Sequence, residues 1–283
     1  MNIRFGLIDV KRIVRNPANL VFAILLPAGM YLLFGAIQGY ADANLGHGNV
    51  RAAIMASMAS YGSVTVATTL AATSALEQEK GWGRQLAMTP LVGGKYLATK
   101  VLTVLVVSFV PVLVVYVIGA LTSAQIDGDI RWGWAFLASW LTAVPFAFFG
   151  LGMALLIRGE AALSLASFGV LICAFLSNMF IPLSGLLLSI SRFMPLYGVN
   201  KLARFPISGS EEAIANGAAL SAPIWWAVAN IVVWTVVFAL LAFVASKRPQ
   251  KDEKEDKVVP PQGGYAKGWH VFSMGFMVPP VAW

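Results

Sequence analysis

Charged side chains are scarce in this sequence. Asp, Glu, Lys and Arg make up 12% of 283 residues, about half the share found in a soluble domain. With 58% of the residues hydrophobic, a water-soluble fold could not cover itself with polar groups. A soluble protein is therefore excluded, and an integral membrane protein is expected. Cysteine is nearly missing as well. Cys173 stands alone, so neither an intramolecular disulfide nor a cysteine metal cluster can form. His47 and His270 lie far apart, without ligand partners at metal-binding spacing. No Walker A loop is present. Such a loop needs Gly, four residues, Gly, Lys and Ser/Thr to wrap phosphates in backbone N–H groups, and the nearest text, Gly93-Gly94-Lys95-Tyr96, lacks the leading Gly and the hydroxyl. The formal charge of +7 does not point to nucleic acid, because the basic residues flank apolar runs and do not cluster on a soluble face with groove-reading elements.

What the chain does have is long apolar runs. About 20 mostly apolar residues are needed to cross roughly 30 Å of hydrocarbon as a helix. Six segments qualify, near 18–38, 50–75, 97–122, 133–157, 161–188 and 223–246. The fold class predicted is an all-α polytopic membrane protein. Pro27, Pro111 and Pro145 fall inside the first, third and fourth segments and predict kinks, which a bundle tolerates because neighbours satisfy the freed carbonyls. The first 19 residues are interrupted by polar side chains and are followed by no small-residue cleavage site, so a cleavable signal is not expected. Instead, Ile3, Leu7, Val10 and Val14 share a face beside Arg4, Lys11 and Arg15, and residues 1–17 read as an amphipathic helix in the headgroup plane.

Lys and Arg decide the orientation. With the N-terminus inside, 15 of the 20 basic residues fall on the inner side, and only Arg51, Arg131, Arg192, Lys201 and Arg204 fall outside. Both termini, the 77–96 connection and the tail 247–283 are then expected in the cytoplasm, with the six-span domain occupying 18–246. Residues 181–191, IPLSGLLLSIS, are too short to span and too apolar for a solvated loop. They are read as a short re-entrant hairpin before the last span, shielded by the protein.

The expected spans hold essentially no ionisable group in their interiors, which argues against a carrier driven by protons. No acid and base pair is present for intramembrane catalysis either. The second span carries a stripe of hydroxyls: Ser57, Tyr61, Thr65 and Thr68 lie within about 80° at 100° per residue. This stripe, with Asn178 at the outer end of the fifth span, can line a polar substrate pathway or serve close helix packing. Gly35 and Gly39 form a GxxxG pair at the end of the first span.

The segment EQEKGWGRQLAMTPL at 77–91 interrupts the apolar runs with charge, Gly and Trp. Acidic residues open it, as suits a helix N-terminus. Trp82 and Arg84 are residue types that dominate protein interfaces. It resembles the signature loop of type-2 ATP-binding-cassette exporter permeases. The similarity covers Glu77, Glu79, Lys80, Gly81, Trp82, Arg84, Gln85, Leu86, Thr89, Pro90 and Leu91, while Gly83 replaces the usual Leu. Pro182, Met194-Pro195-Leu196-Tyr197 and Leu202 to Arg204 resemble that family's re-entrant hairpin. The resemblance implies a permease without an ATPase site of its own, in the bacterial inner membrane, paired with a second permease subunit. It also implies a separate cytoplasmic ATPase that binds ATP and magnesium and docks on Glu77, Glu79, Gly81, Trp82, Arg84, Gln85, Leu86, Thr89 and Pro90. Export of a drug, an antibiotic or another amphipathic compound is the expected function. A sensor or immunity subunit that sequesters a toxic amphiphile would use the same scaffold.

Overall fold

The computed structural model describes residues 17–77, 94–157, 159, 161–213 and 219–247. The expected interfacial helix, nearly all of the 77–91 loop and the tail from 248 lie outside the described residues. Contacts group Met1–Arg248 into one unit, and the second unit, Pro249–Trp283, is wholly outside the described residues.

The described chain forms helices α1 (Pro17–Tyr31), α2 (Val50–Glu77), α3 (Gly94–Leu121), α4 (Asp129–Leu141), α5 (Val144–Ile157), α6 (Ala161–Leu176), α7 (Gly185–Ser191), α8 (Pro195–Ser208) and α9 (Ile224–Ser246). A π-helical turn, Leu32–Ala36, extends α1. The fold is all-α as expected, with one short antiparallel ribbon, β1 (Glu211–Ala213) with β2 (Ala219–Ser221), which pairs Glu211 with Ser221.

Helix α2 is the centre of the bundle. It packs against α1, α3, α4, α5, α6 and α8, and every residue from Met55 to Val64 is buried. Its Ala, Ser, Gly and Thr side chains explain this, because small residues admit neighbouring backbones on every side. Gly62 receives α1 and α3 together at their prolines. A Cβ there would stand 3.0 Å from Pro27 and 3.2 Å from Pro111. On the opposite flank, Gly150 of α5 lies so close to the Thr68 carbonyl oxygen that any side chain would collide with it. By contrast, only Gly35 of the GxxxG pair is in contact, against Tyr31 and Ile54, while Gly39 faces open space.

These contacts fix the chain direction. Met55 meets Gly119 and Gly62 meets Pro111, so α2 and α3 run antiparallel. Ser63 meets Ser139 and Thr68 meets Phe146, so α2 runs parallel to the α4–α5 pair. One end of the bundle gathers the 37–49 and 122–128 connections and residues 209–213 and 219–223. There the Asn49 side chain donates to the Ser123 carbonyl, and its carbonyl group accepts from the Ala52 and Gln125 N–H groups. Arg51 pairs with Asp42 at 3.0 Å and donates to the Thr122 carbonyl. The other end gathers Glu77 and the α5–α6 connection, where Ala72, Ala75 and Leu76 pack on Ala154 and Ala162.

Two expected spans differ in the structure. The fourth is broken, not kinked. Helix α4 stops at Leu141, and Pro145 sits in the first turn of α5, where its missing N–H costs nothing. The fifth is shorter than 161–188. Helix α6 ends at Leu176, and Asn178 takes a left-handed φ of 54°, a conformation that Asn tolerates because its short amide bonds locally. Here Asn178 Oδ1 accepts from the Leu183 N–H at 2.8 Å. Residues 185–188 therefore belong to α7.

Among the described residues, Val101–Leu121, Asp129–Ile157 and Ile224–Ser246 are long and apolar enough to cross a membrane, and Ile24–Ala36 and Ala161–Leu176 are shorter apolar helices. Helix α2 has 28 residues, about 42 Å at 1.5 Å per residue, but its Ser and Thr content lowers its hydropathy. It is enclosed by the other helices instead.

Candidate functional site

The connection between α6 and α9 folds back on α2 and brings several of the singled-out residues together through Asn200, which lies in α8. Ser57 Oγ donates to Asn200 Oδ1 at 2.7 Å while also reaching the Ala53 carbonyl at 3.0 Å. Asn200 Nδ2 donates to the Asn178 carbonyl at 2.8 Å. One amide thus ties the central helix to the strained turn that ends α6. Tyr197 stands one turn before Asn200 and lines the same cleft, with Lys201 and Arg204 beside it. The cleft holds about 10 Å³, room for a single water. Lys201 is buried, and its ammonium donates to the Glu211 carbonyl at 2.7 Å and to that of Gly209 at 3.4 Å. This bridges α8 to β1.

Helix α8 is positioned by its start. Pro195 opens it and Met194 is extended before it, the arrangement for which proline's fixed φ is suited. From α9, Asn230 Nδ2 donates to the Arg192 and Met194 carbonyls, Asn230 Oδ1 accepts from the Gly198 N–H, and Trp234 Nε1 donates to the Phe193 carbonyl. A glycine is required at 198, since a Cβ would meet the Ala227 carbonyl at 2.6 Å.

The remaining hydroxyls of the stripe lie deeper. The Tyr61 ring meets Phe180 edge to face at 5.0 Å. Thr65 donates to the Tyr61 carbonyl, and Thr68, fully enclosed, reaches the Phe146 carbonyl at 3.4 Å. Ser57, Tyr61 and Thr68 thus join α2 to its neighbours, while Thr65 bonds within α2. A second set of hydroxyls does the same beside it: Ser63 donates to the Ser139 carbonyl at 2.6 Å, and Tyr116 and Ser139 share a hydrogen bond at 3.2 Å. Of the hairpin residues, Pro195 and Tyr197 are buried in α8, whereas Pro182 is exposed on the segment before α7. Of the coupling residues, Glu77 is the last residue of α2. Glu79, Gly81, Trp82, Arg84, Gln85, Leu86, Thr89 and Pro90 lie outside the described residues.

Asn200, Lys201 and Asn230 were missed by sequence reasoning. Asn230 carried a signal, as a lone amide within an apolar run, where polar groups find interhelical partners. Asn200 carried none, because it falls in a stretch that reads as a loop.

Residues 8–204 match the ABC-2 type transporter family. The chain belongs to that family. The matched range takes in the 77–91 loop and the Ser57–Asn200–Asn178 cluster. Among curated proteins, the candidate transport permease YvfS of Bacillus subtilis (strain 168) is 21% identical over 244 residues, covering 83% of this chain and 92% of the relative. As an ABC-2 family member the protein is a multi-pass membrane permease component of an ABC transporter, and a partner ATPase component goes with such a permease.

Proposed function

We propose that this ABC-2 family member is the permease subunit of an exporter in a bacterial inner membrane. It moves an amphipathic or hydrophobic compound such as a drug, an antibiotic or a lipid-like molecule outward. ATP and magnesium are bound by a separate cytoplasmic subunit, and the permease pairs with a second permease subunit. Six spans run between cytoplasmic termini, and α7 with α8 forms the re-entrant hairpin.

The observation that carries this reading is the course of α2. It runs unbroken from the 77–91 loop at one end to the Ser57–Asn200 hydrogen bond at the other. A rigid rod in contact with six other helices supports transmission of a displacement at Glu77 to α8, and packed helices move between discrete arrangements instead of deforming continuously. In the proposal, ATP-driven closure of the ATPases pushes on Glu77, Glu79, Gly81, Trp82, Arg84, Gln85, Leu86, Thr89 and Pro90. The hairpin at the far end then shifts and opens a route past Ser57, Tyr61, Thr65, Thr68 and Asn178. Between Arg51 and Glu77 the polar side chains of α2 are all hydroxyls, which suit a passenger that carries its own polarity and needs no counter-ion.

The test is a mild-detergent pull-down of the tagged chain from its host, with an ATPase assay on the complex. A stoichiometric partner with a Walker A loop, lost when Trp82→Ala and Arg84→Glu are combined in an inserted subunit, is the expected result. Retention of the partner and of transport by that double variant would refute the docking assignment. A folded preparation with no ATPase partner would favour the sequestering or sensing role.

A further inference from the structure

A second cavity lies on the connection between α6 and α9, beside the Asn200 cleft, and Tyr197 borders both. Its volume is about 350 Å³, within the range of small-molecule sites. Phe193, Trp225 and Trp226 form its wall together with Tyr197. The Phe193 and Trp226 rings meet edge to face at 6.0 Å, and Trp225 and Trp226 at 5.3 Å. Arg192 is the one charged side chain among the described residues that line it, and Ser189 adds a hydroxyl.

The wall is held from behind. The turn that bears Arg192 and Phe193 is bound through three backbone carbonyls to Asn230 and Trp234 of α9, at 2.9 to 3.1 Å. A site fixed in this way loses little freedom when a ligand enters. Phe193 and Trp225 remain 64% and 60% exposed, so the aromatic faces are open to an occupant. The indole N–H of Trp226 is buried and has no acceptor among the described residues.

We propose that this cavity binds an amphiphile with an anionic head, a carboxylate or a phosphate. The aromatic faces take the apolar body, since large rings offer broad contact at low entropic cost. The guanidinium of Arg192 matches the planar geometry of a carboxylate or phosphate, and the Trp226 N–H supplies a further donor to the head. No acidic side chain among the described residues lining the cavity opposes an anion. The site stands on one chain and holds whether or not its occupant is the transported compound.

The test uses the purified chain in phosphatidylcholine nanodiscs and reads tryptophan quenching by brominated ligands. Two sources are compared: brominated stearate added free, and brominated phosphatidylglycerol built into the disc. Brominated stearyl alcohol is the neutral control. Saturable quenching by either anionic ligand is expected, weakened by about 10-fold or more in Arg192→Gln, as loss of a charge-assisted pair demands. Ser189→Asp, at an exposed position, introduces a repelling charge and is expected to weaken binding similarly without disturbing the fold. Stearate alone, or phosphatidylglycerol alone, would identify the source. The neutral alcohol binding as tightly as stearate, affinities unchanged in both variants, or quenching that never saturates with either anionic ligand would overturn the proposal.

Discussion

Asn200 is the side chain that ties α2 and α8 to the turn after α6, and its removal has a calculable cost. Asn200→Ala deletes one hydrogen bond to Ser57 at 2.7 Å and one to the Asn178 carbonyl at 2.8 Å. A net hydrogen bond contributes about 1 kcal/mol in water, and interhelical ones in membranes average about 0.6 kcal/mol with a maximum near 1.7. Adding the small void left by the amide, the variant is expected to lose about 1–3 kcal/mol. Ser57→Ala leaves the Ala53 carbonyl satisfied within its helix but takes the donor from the buried Asn200 Oδ1, so its cost is about 1–2 kcal/mol. The decisive quantity is the interaction term. If the Ser57–Asn200 bond links α2 to α8, the double variant should be less destabilised than the sum of the single variants by about 0.6–1.7 kcal/mol. Reversible unfolding of the purified permease in mixed micelles, followed by far-ultraviolet circular dichroism, gives the three free energies. Additivity within about 0.3 kcal/mol would refute the link.

Three further outcomes are expected. Gly150→Val should prevent α5 from closing on α2, because a side chain there meets the Thr68 carbonyl; loss of about 3 kcal/mol or failure to accumulate is expected, and a wild-type melting profile would contradict the packing. Asn230→Leu removes three hydrogen bonds to the 192–198 turn, so amide exchange at Gly198 should rise by about 10-fold or more, equivalent to roughly 1.4 kcal/mol of local stability. Unchanged protection at Gly198 would show that α9 does not hold the hairpin. Truncation after residue 257 should leave insertion and transport intact, and loss of transport by a normally expressed truncation would show that the tail has a role.

Much of the architecture follows from local chemistry. The apolar runs near 50–75, 97–122 and 223–246 became α2, α3 and α9 within a few residues, because hydrocarbon thickness and the absence of interior charge leave a helix as the only way to satisfy the backbone there. Pro27 and Pro111 were correctly placed inside helices. Pro145 was not, since proline inside a run marks a kink and a helix start equally well. Asn178 ended α6 early for a comparable reason: its left-handed backbone is stabilised by a bond to the Leu183 N–H, and nothing in an apolar run of letters announces it.

The amino-acid sequence by itself determined that this is a helical membrane protein, where its long helices lie and which hydroxyls share a face of α2, because these depend on side-chain transfer energies and on helical periodicity alone. Only the tertiary structure decided what that face meets. Ser57 found Asn200, 143 residues away, and Asn230 found carbonyls more than 30 residues back. Such pairings are fixed by the packing of whole helices, where an amide is satisfied by whichever carbonyl the close approach brings within 3 Å.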